Sequence, residues 1–285
     1  MVEFRKAAIA AIAALAVLLI AACSATGSNS AIAPQVKASV EPPPPPAISP
    51  EALSKVIDPL IANPALGKSV GLAVVDVATG QLLYDTGGTF IPASTAKLFT
   101  GAALLLTFDS KIPIATKNGK SVDLGNELAR VLAESDNEGA QKLAALLPKP
   151  ATEMLIFELP ELDLSETVLV DAAGLSRKNK TSPRALASLL ALSWNTPRLA
   201  ALVAGLPVSG ESGTMKKRAA NEPGSLLAKT GTLSGVNALA GIFQTHTGRA
   251  VSFAILADAV PIVPGGTEKA RKAIDQIATA LVNAN

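Results

Sequence analysis

Ser94 and Lys97 stand three residues apart at the head of an apolar helical run, Lys97 to Leu106, a spacing that puts a hydroxyl and an amine on one helix face. A serine hydroxyl is a poor nucleophile until a base within hydrogen-bond reach takes its proton. The single histidine, His246, lies in Thr245-His246-Thr247-Gly248-Arg249, which reads as a hairpin turn, so no Ser/His/Asp triad is expected and Lys97 is the candidate base. An amine is a base only when neutral, so its ordinary pKa near ~10.4 has to fall. Lys229 is expected to push it down: two ammonium groups roughly 6 Å apart at an effective dielectric of ~20 repel by about 3 kcal/mol, and burial adds to this. The amino end of the helix also offers unpaired backbone N–H groups, and that of Ser94 is expected to donate to an oxyanion.

Two further clusters carry polar side chains at suggestive spacing. Ser135-Asp136-Asn137 lies between the run Leu124 to Glu134 and a second helix, Glu138 to Leu147. Asp136 is expected to turn inward and buttress the loop. Ser193-Trp194-Asn195 shares the S-x-N pattern but ends a helical segment with Pro197 close behind, so Ser135 is preferred. Lys229-Thr230-Gly231-Thr232 falls in a strand-like segment, where Gly231 removes a side chain at a point of close approach by substrate backbone. Thr230 and Thr232 hydroxyls and the Lys229 charge suit a terminal carboxylate, and the Thr232 N–H suits the oxyanion, at ~3 kcal/mol for each such donor. The bland alternatives are a capped helix, a capped loop and an exposed lysine on an edge strand. They require the three clusters to coincide by accident.

These side chains need a scaffold, and hydrophobic periodicity outlines it. Leu53, Val56, Ile57, Leu60 and Ile61 recur at helical spacing, ended by Asn63-Pro64. Val70 to Val77 and Gln81 to Asp85 read as a strand hairpin; Leu226 to Leu233, Ala238 to Thr245 and Ala250 to Asp258 read as three more strands. Thr267 to Asn283 reads as an amphipathic helix with Ala270, Ile274, Ile277 and Leu281 on one side. The expected architecture is α+β: one antiparallel sheet shared by both ends of the chain, flanked by the first and last helices, with a mostly helical lobe from about Ser94. The sheet lobe is expected over about 51–93 and 221–285, and the helical lobe over about 94–220.

The N-terminus reads as an export segment. Arg5 and Lys6 precede Ala7 to Ala22, an uncharged apolar stretch shorter than the ~20 residues of a spanning helix. Ile20-Ala21-Ala22-Cys23 is similar to the bacterial lipobox, which implies a signal peptide over 1–23 and lipidation of Cys23, the one cysteine. Acyl chains at ~0.8 kcal/mol per buried methylene would hold the protein on a membrane, facing the cell wall or periplasm. Residues 24–50 are rich in Ser, Ala and Pro, including Pro42 to Pro46, and read as an extended tether of at most roughly 90 Å. With 25 basic and 23 acidic residues, a net charge of +2 gives no sign of a nucleic-acid partner. One cysteine excludes an intrachain disulfide framework and any multi-cysteine metal site, a single histidine argues against a metal cluster, and no organic cofactor is called for.

Taken in order, Ser94-Thr95-Ala96-Lys97, Ser135-Asp136-Asn137 and Lys229-Thr230-Gly231 form the S-x-x-K, S-D-N and K-T-G set of penicillin-binding proteins and class A β-lactamases. Longer segments narrow the resemblance: Ile91 to Leu98, Asp171 to Lys180 with Ser182 to Leu186, Leu206 to Arg218 and Ala228 to Gly241 resemble the D-alanyl-D-alanine carboxypeptidase/endopeptidase family of class C low-molecular-mass penicillin-binding proteins. That resemblance implies a serine DD-peptidase fold and cleavage of the terminal D-Ala–D-Ala bond of peptidoglycan stem peptides through an acyl-Ser94. It also implies β-lactams as acylating inhibitors. Ser135 is then a proton relay between Lys97 and the leaving nitrogen, and Asn137 a ligand for the substrate's acyl side chain. Two departures stand out. Only 37 residues lie between Lys97 and Ser135, where family members usually carry a long insertion, and Ala172-Ala173 stand where Gly-Ser is usual. A class A β-lactamase would need a carboxylate against the acyl-serine; Glu161-Leu162-Asp163-Leu164-Ser165 is the nearest match to its E-x-x-L-N motif and lacks the Asn. A non-catalytic wall-binding lipoprotein is the remaining alternative.

Overall fold

Alternation along the strands decides the layers. In β1 (Val70–Asp76), Leu72 and Val74 belong to one apolar core while Ala73 and Val75 belong to another, as period-two side chains of a sheet buried on both faces must. The computed structural model describes residues 46–115, 119–219 and 223–284; the export segment, Cys23 and the chain to residue 45 lie outside the described residues. β1, β2 (Leu82–Asp85), β5 (Leu226–Leu233), β6 (Val236–Gln244) and β7 (Ala250–Ala257) make one antiparallel sheet in the order β2-β1-β7-β6-β5. Both ends of the chain thus contribute to one sheet, as expected, and β5 is its edge.

On one face pack α1 (Pro50–Ile61) and α8 (Gly266–Val282), which touch each other. Leu53 and Ile57 of α1 and Ala270, Ile274, Ile277 and Leu281 of α8 are buried there against Phe253, Phe243 and Ile255. The body begins before residue 51: Ile48 is buried in this core, and the Ser49 hydroxyl caps α1.

The other face meets the helical layer. α6 (Pro183–Asn195) lies directly on β1 and β7, and α2 (Lys97–Thr107) sits behind it, in contact with α3 (Leu124–Glu134), α4 (Asn137–Ala144), α5 (Ala151–Glu158) and α7 (Ala200–Ala204). Every residue of α2 from Lys97 to Leu106 is buried, so this helix is apolar all round instead of amphipathic. The short link between Lys97 and Ser135 contains an element missed by periodicity: a small hairpin of β3 (Pro113–Ala115) and β4 (Ser121–Asp123), too short to show an alternating pattern. The apolar run Thr167 to Val170 makes only an isolated bridge from Val168 to Lys180. Among the described residues no helix is long and apolar enough to cross a membrane.

Candidate active site

The Ser94 turn is pinned from three sides. Ala93–Ala96 form a 3-10 turn leading into α2, closed by Thr95, whose hydroxyl donates to Pro92 O at 2.7 Å. Upstream, Ile91 N–H donates to Asp258 Oδ2 at 3.1 Å and Phe90 bridges Thr181, so the approach to the turn is tied to the end of β7 and to the loop before α6. Ala93 itself holds φ 48°, a left-handed conformation costing a residue with a Cβ about 1–3 kcal/mol. Gly174 (φ +81°) presses on it so closely that a Cβ there would stand 1.9 Å from Ala93 O.

As the spacing predicts, Lys97 returns to Ser94: Nζ donates to Ser94 Oγ at 3.0 Å, to Asn137 Oδ1 at 2.8 Å and to Ala173 O at 2.6 Å. Lys97 as a whole is 1% exposed. Burial pushes its pKa down from 10.5 to about 8, against the upward pull of Asp171 and Asp136. Lys229 also lies fully buried on β5, donating to Ser135 Oγ and Thr230 O, both at 2.9 Å. Its pKa falls to about 7, first through burial and then through the Lys97 charge. The expected driver is therefore corrected: burial depresses Lys97, and the repulsion between the amines is felt at Lys229.

Ser135 is the left-handed C-cap of α3 (φ 57°), and the next residue, Asp136, is the N-cap of α4, accepting from Gly139 N at 3.1 Å. A two-residue joint between helices thus aims the Ser135 hydroxyl at Lys229 and leaves Asn137 exposed at the start of α4. Arg130 braces the joint by pairing with Asp136 at 2.9 Å. The alternative Ser193 is buried in α6 bonding Leu189 O, and Asn195 holds Val77 O, so that S-x-N is structural. His246 bonds Asn283 on the exposed turn after β6.

On β5 the outward backbone groups are legible from parity. Leu226 N and Ala228 N bond Ser209 and Pro207 across the sheet edge, so the N–H groups of Thr230 and Thr232 point the same way, past the end of that pairing and towards the Ser94 turn that packs on β5. Thr230 Oγ1 donates to Thr214 Oγ1 at 2.8 Å, and Thr232 is exposed, with Arg271 Nη2 3.4 Å from its hydroxyl. Gly231 also has a reason within the fold. A Cβ there would stand 2.8 Å from Pro92 O and 3.1 Å from Ala93 Cβ, so its absence lets the strand close on the Ser94 turn.

Sequence reasoning missed the fourth wall. Asp171 accepts the N–H groups of Ala173, Gly174, Leu175 and Ser176 at 2.7–3.0 Å, and its carboxyl is held below the ordinary value by those bonds although burial works against them. The curled loop delivers Ala173 O to both Lys97 and Ser94 Oγ, the latter at 3.4 Å. Because the contact is made by a carbonyl, any residue type at 173 could supply it, and its signal in the sequence is only the Asp171-x-x-Gly174 turn. Glu161 sits exposed in a separate turn, and among the described residues neither Ser94 nor Lys97 hydrogen-bonds a carboxylate. Nor do the described residues contain a group of three His, Cys, Asp or Glu able to hold a metal.

A sheet between a helix pair and a helical layer, with S-x-x-K, S-D-N and K-T-G converging at its edge, is the architecture of the β-lactamases and penicillin-binding proteins. The structure superposes on a β-lactamase from Chitinophaga pinensis with TM-score 0.65 and 18% identity, covering 81% of this chain and 98% of that one. It superposes on penicillin binding protein 4 (dacB) from Haemophilus influenzae with TM-score 0.62 and 13% identity, covering 81% and 99%. These likenesses are of fold. Within that fold, the chain belongs to the D-Ala-D-Ala carboxypeptidase 3 (S13) family, whose model matches residues 53–133 and 118–281. The two matched segments overlap over residues 118–133, between the Ser94 helix and the Ser135 joint. Carboxypeptidase DacB of Mycolicibacterium smegmatis is 34% identical over an alignment of 181 residues that covers 57% of this chain and 38% of that protein. The chain therefore spans well under half the length of that relative.

Proposed function

We propose that this protein is a serine D-Ala-D-Ala carboxypeptidase of the cell envelope, acting on peptidoglycan stem peptides and acylated by β-lactams. The observation that carries the reading is the buried Lys97 amine, 3.0 Å from Ser94 Oγ with its pKa lowered to about 8, which makes a neutral base accessible near working pH. Neutral Lys97 takes the Ser94 proton as Oγ attacks the carbonyl of the penultimate D-Ala. The N–H groups of Ser94 and Thr232 hold the oxyanion. On collapse the C–N bond breaks, and the leaving amine takes a proton through Ser135, which Lys229 holds in place. Water then attacks the ester and frees Ser94. Asn137 holds the acyl side chain, and Thr230 and Thr232 meet the terminal carboxylate.

The exposed position of Glu161 weighs against β-lactamase turnover, since among the described residues neither Ser94 nor Lys97 bonds a carboxylate that would activate water against the ester. We further propose residues 1–23 as an export leader ending in a lipidated Cys23 and residues 24–50 as its tether, anchoring the domain on a membrane within reach of the wall. Mass spectrometry of the mature protein after exposure to penicillin and to a diacyl-D-Ala-D-Ala peptide tests these together. The expected result is a lipid mass on Cys23, a persistent penicilloyl adduct on Ser94, and release of one D-Ala per peptide. An adduct elsewhere, or rapid hydrolysis of the penicillin, would refute the reading.

A further inference from the structure

Lys229 is poorly placed to be the sole counter-charge for a free carboxylate. Its amine is fully buried, is committed to Ser135 Oγ and Thr230 O, and has its charge weakened by desolvation and by Lys97. One step along the edge strand lies a stronger candidate. Arg271, on the first half of α8, brings Nη2 to 3.4 Å from Thr232 Oγ1, while its contact with Glu268 is loose at 3.8 Å and its buried Nε has no partner. Asn237 is the register partner of Thr232, so the two side chains stand next to each other on the same face of the sheet. It is 1% exposed, yet neither its amide oxygen nor its amide nitrogen makes a hydrogen bond. Buried polar groups are nearly always satisfied, and an unsatisfied amide beside an unspent guanidinium is the pattern of a site awaiting a polar ligand.

We propose that Arg271 and Asn237 extend the cleft beyond Thr232 into a carboxylate subsite, with Arg271 supplying the permanent cation that reads the free acid end of the residue to be released and the unpaired Asn237 amide, beside Thr232, offering the same ligand a further hydrogen bond. A guanidinium stays charged at any working pH and presents a planar fork that matches a carboxylate, neither of which holds for the buried amine. The substrate's identity rests on the peptidase reading above; the chemistry of the subsite does not.

The test uses the full chain carrying Ser94→Ala, titrated by calorimetry with diacyl-D-Ala-D-Ala and with its C-terminal carboxamide, alongside turnover by the parent protein. The acid should bind about tenfold more tightly than the amide; Arg271→Gln should erase that preference by weakening the acid alone, and Arg271→Lys should restore part of it. Asn237→Ala should lower the acid preference by a smaller factor, roughly threefold, with thermal stability kept, because it removes atoms that had no partner. An acid-to-amide ratio that is near one in the parent, or indifferent to Arg271→Gln, overturns the subsite. Arg271-dependent acid binding in a protein that never turns over the peptide upholds the subsite and refutes the catalytic reading. Turnover with a ratio indifferent to Arg271 does the reverse.

Discussion

If Lys97 is the base that activates Ser94, the rate of acylation must follow the neutral fraction of its amine. With a pKa of about 8 in place of 10.5, that fraction rises from about 1% at pH 6 to about one half at pH 8, a gain of about fifty-fold, and then only doubles by pH 10. An undisturbed lysine would gain about a hundred-fold over the first interval and about another 75-fold over the second, with no plateau. The plateau is thus the signature of burial. Lys229 titrates beside it, so the inflection belongs to the pair. The sign is fixed by chemistry: protonation removes the lone pair, so activity falls on the acid side. Stopped-flow acylation by a fluorescent penicillin, read between pH 6 and 10, gives the curve. Lys97→Arg keeps the charge but cannot deprotonate, and should lower the rate by about 10²–10⁴-fold and abolish the acid limb. A rate that is flat across the range, or that climbs without levelling to pH 10, would refute the argument.

Two further outcomes follow from the walls of the site. Asp171→Ala strips the acceptor from four backbone N–H groups and should cost about 3 kcal/mol or more, seen as a lower melting temperature together with loss of acylation as Ala173 O leaves Lys97. Because the folded Asp171 pKa is below its ordinary 3.8, the stability it contributes is present above that value and lost as the pH falls through the folded pKa; Asp171→Asn should flatten the loss of melting temperature below about pH 4. Gly231→Ala forces β5 away from Pro92 and Ala93, so acylation should fall about a hundred-fold while circular dichroism shows a fold that still melts cooperatively.

Chemistry-bearing residues were legible in the sequence because their spacing acts locally. Ser94 and Lys97 meet across one helical turn, which three residues fix whatever surrounds them. Strands β1, β2, β5, β6 and β7 and the terminal helices were likewise readable within a residue or two, since strands buried on both faces read as near-continuous apolar runs and the helices as one-sided apolar stripes. β3 and β4 fell below that threshold, being three residues each. The packing of Gly231 on Pro92 was not legible, because the two are far apart in the chain.

What the sequence by itself determined, then, is which groups can react and which elements carry them. Tertiary structure decided their state. Burial of Lys97 in an apolar helix, the carbonyl of Ala173 brought in by the Asp171 turn, the Lys229–Ser135 bond between sheet and helical layer, and the Arg271–Thr232 contact all join residues distant along the chain. Desolvation and through-space charge depend on what surrounds an atom in three dimensions, and no local spacing encodes that.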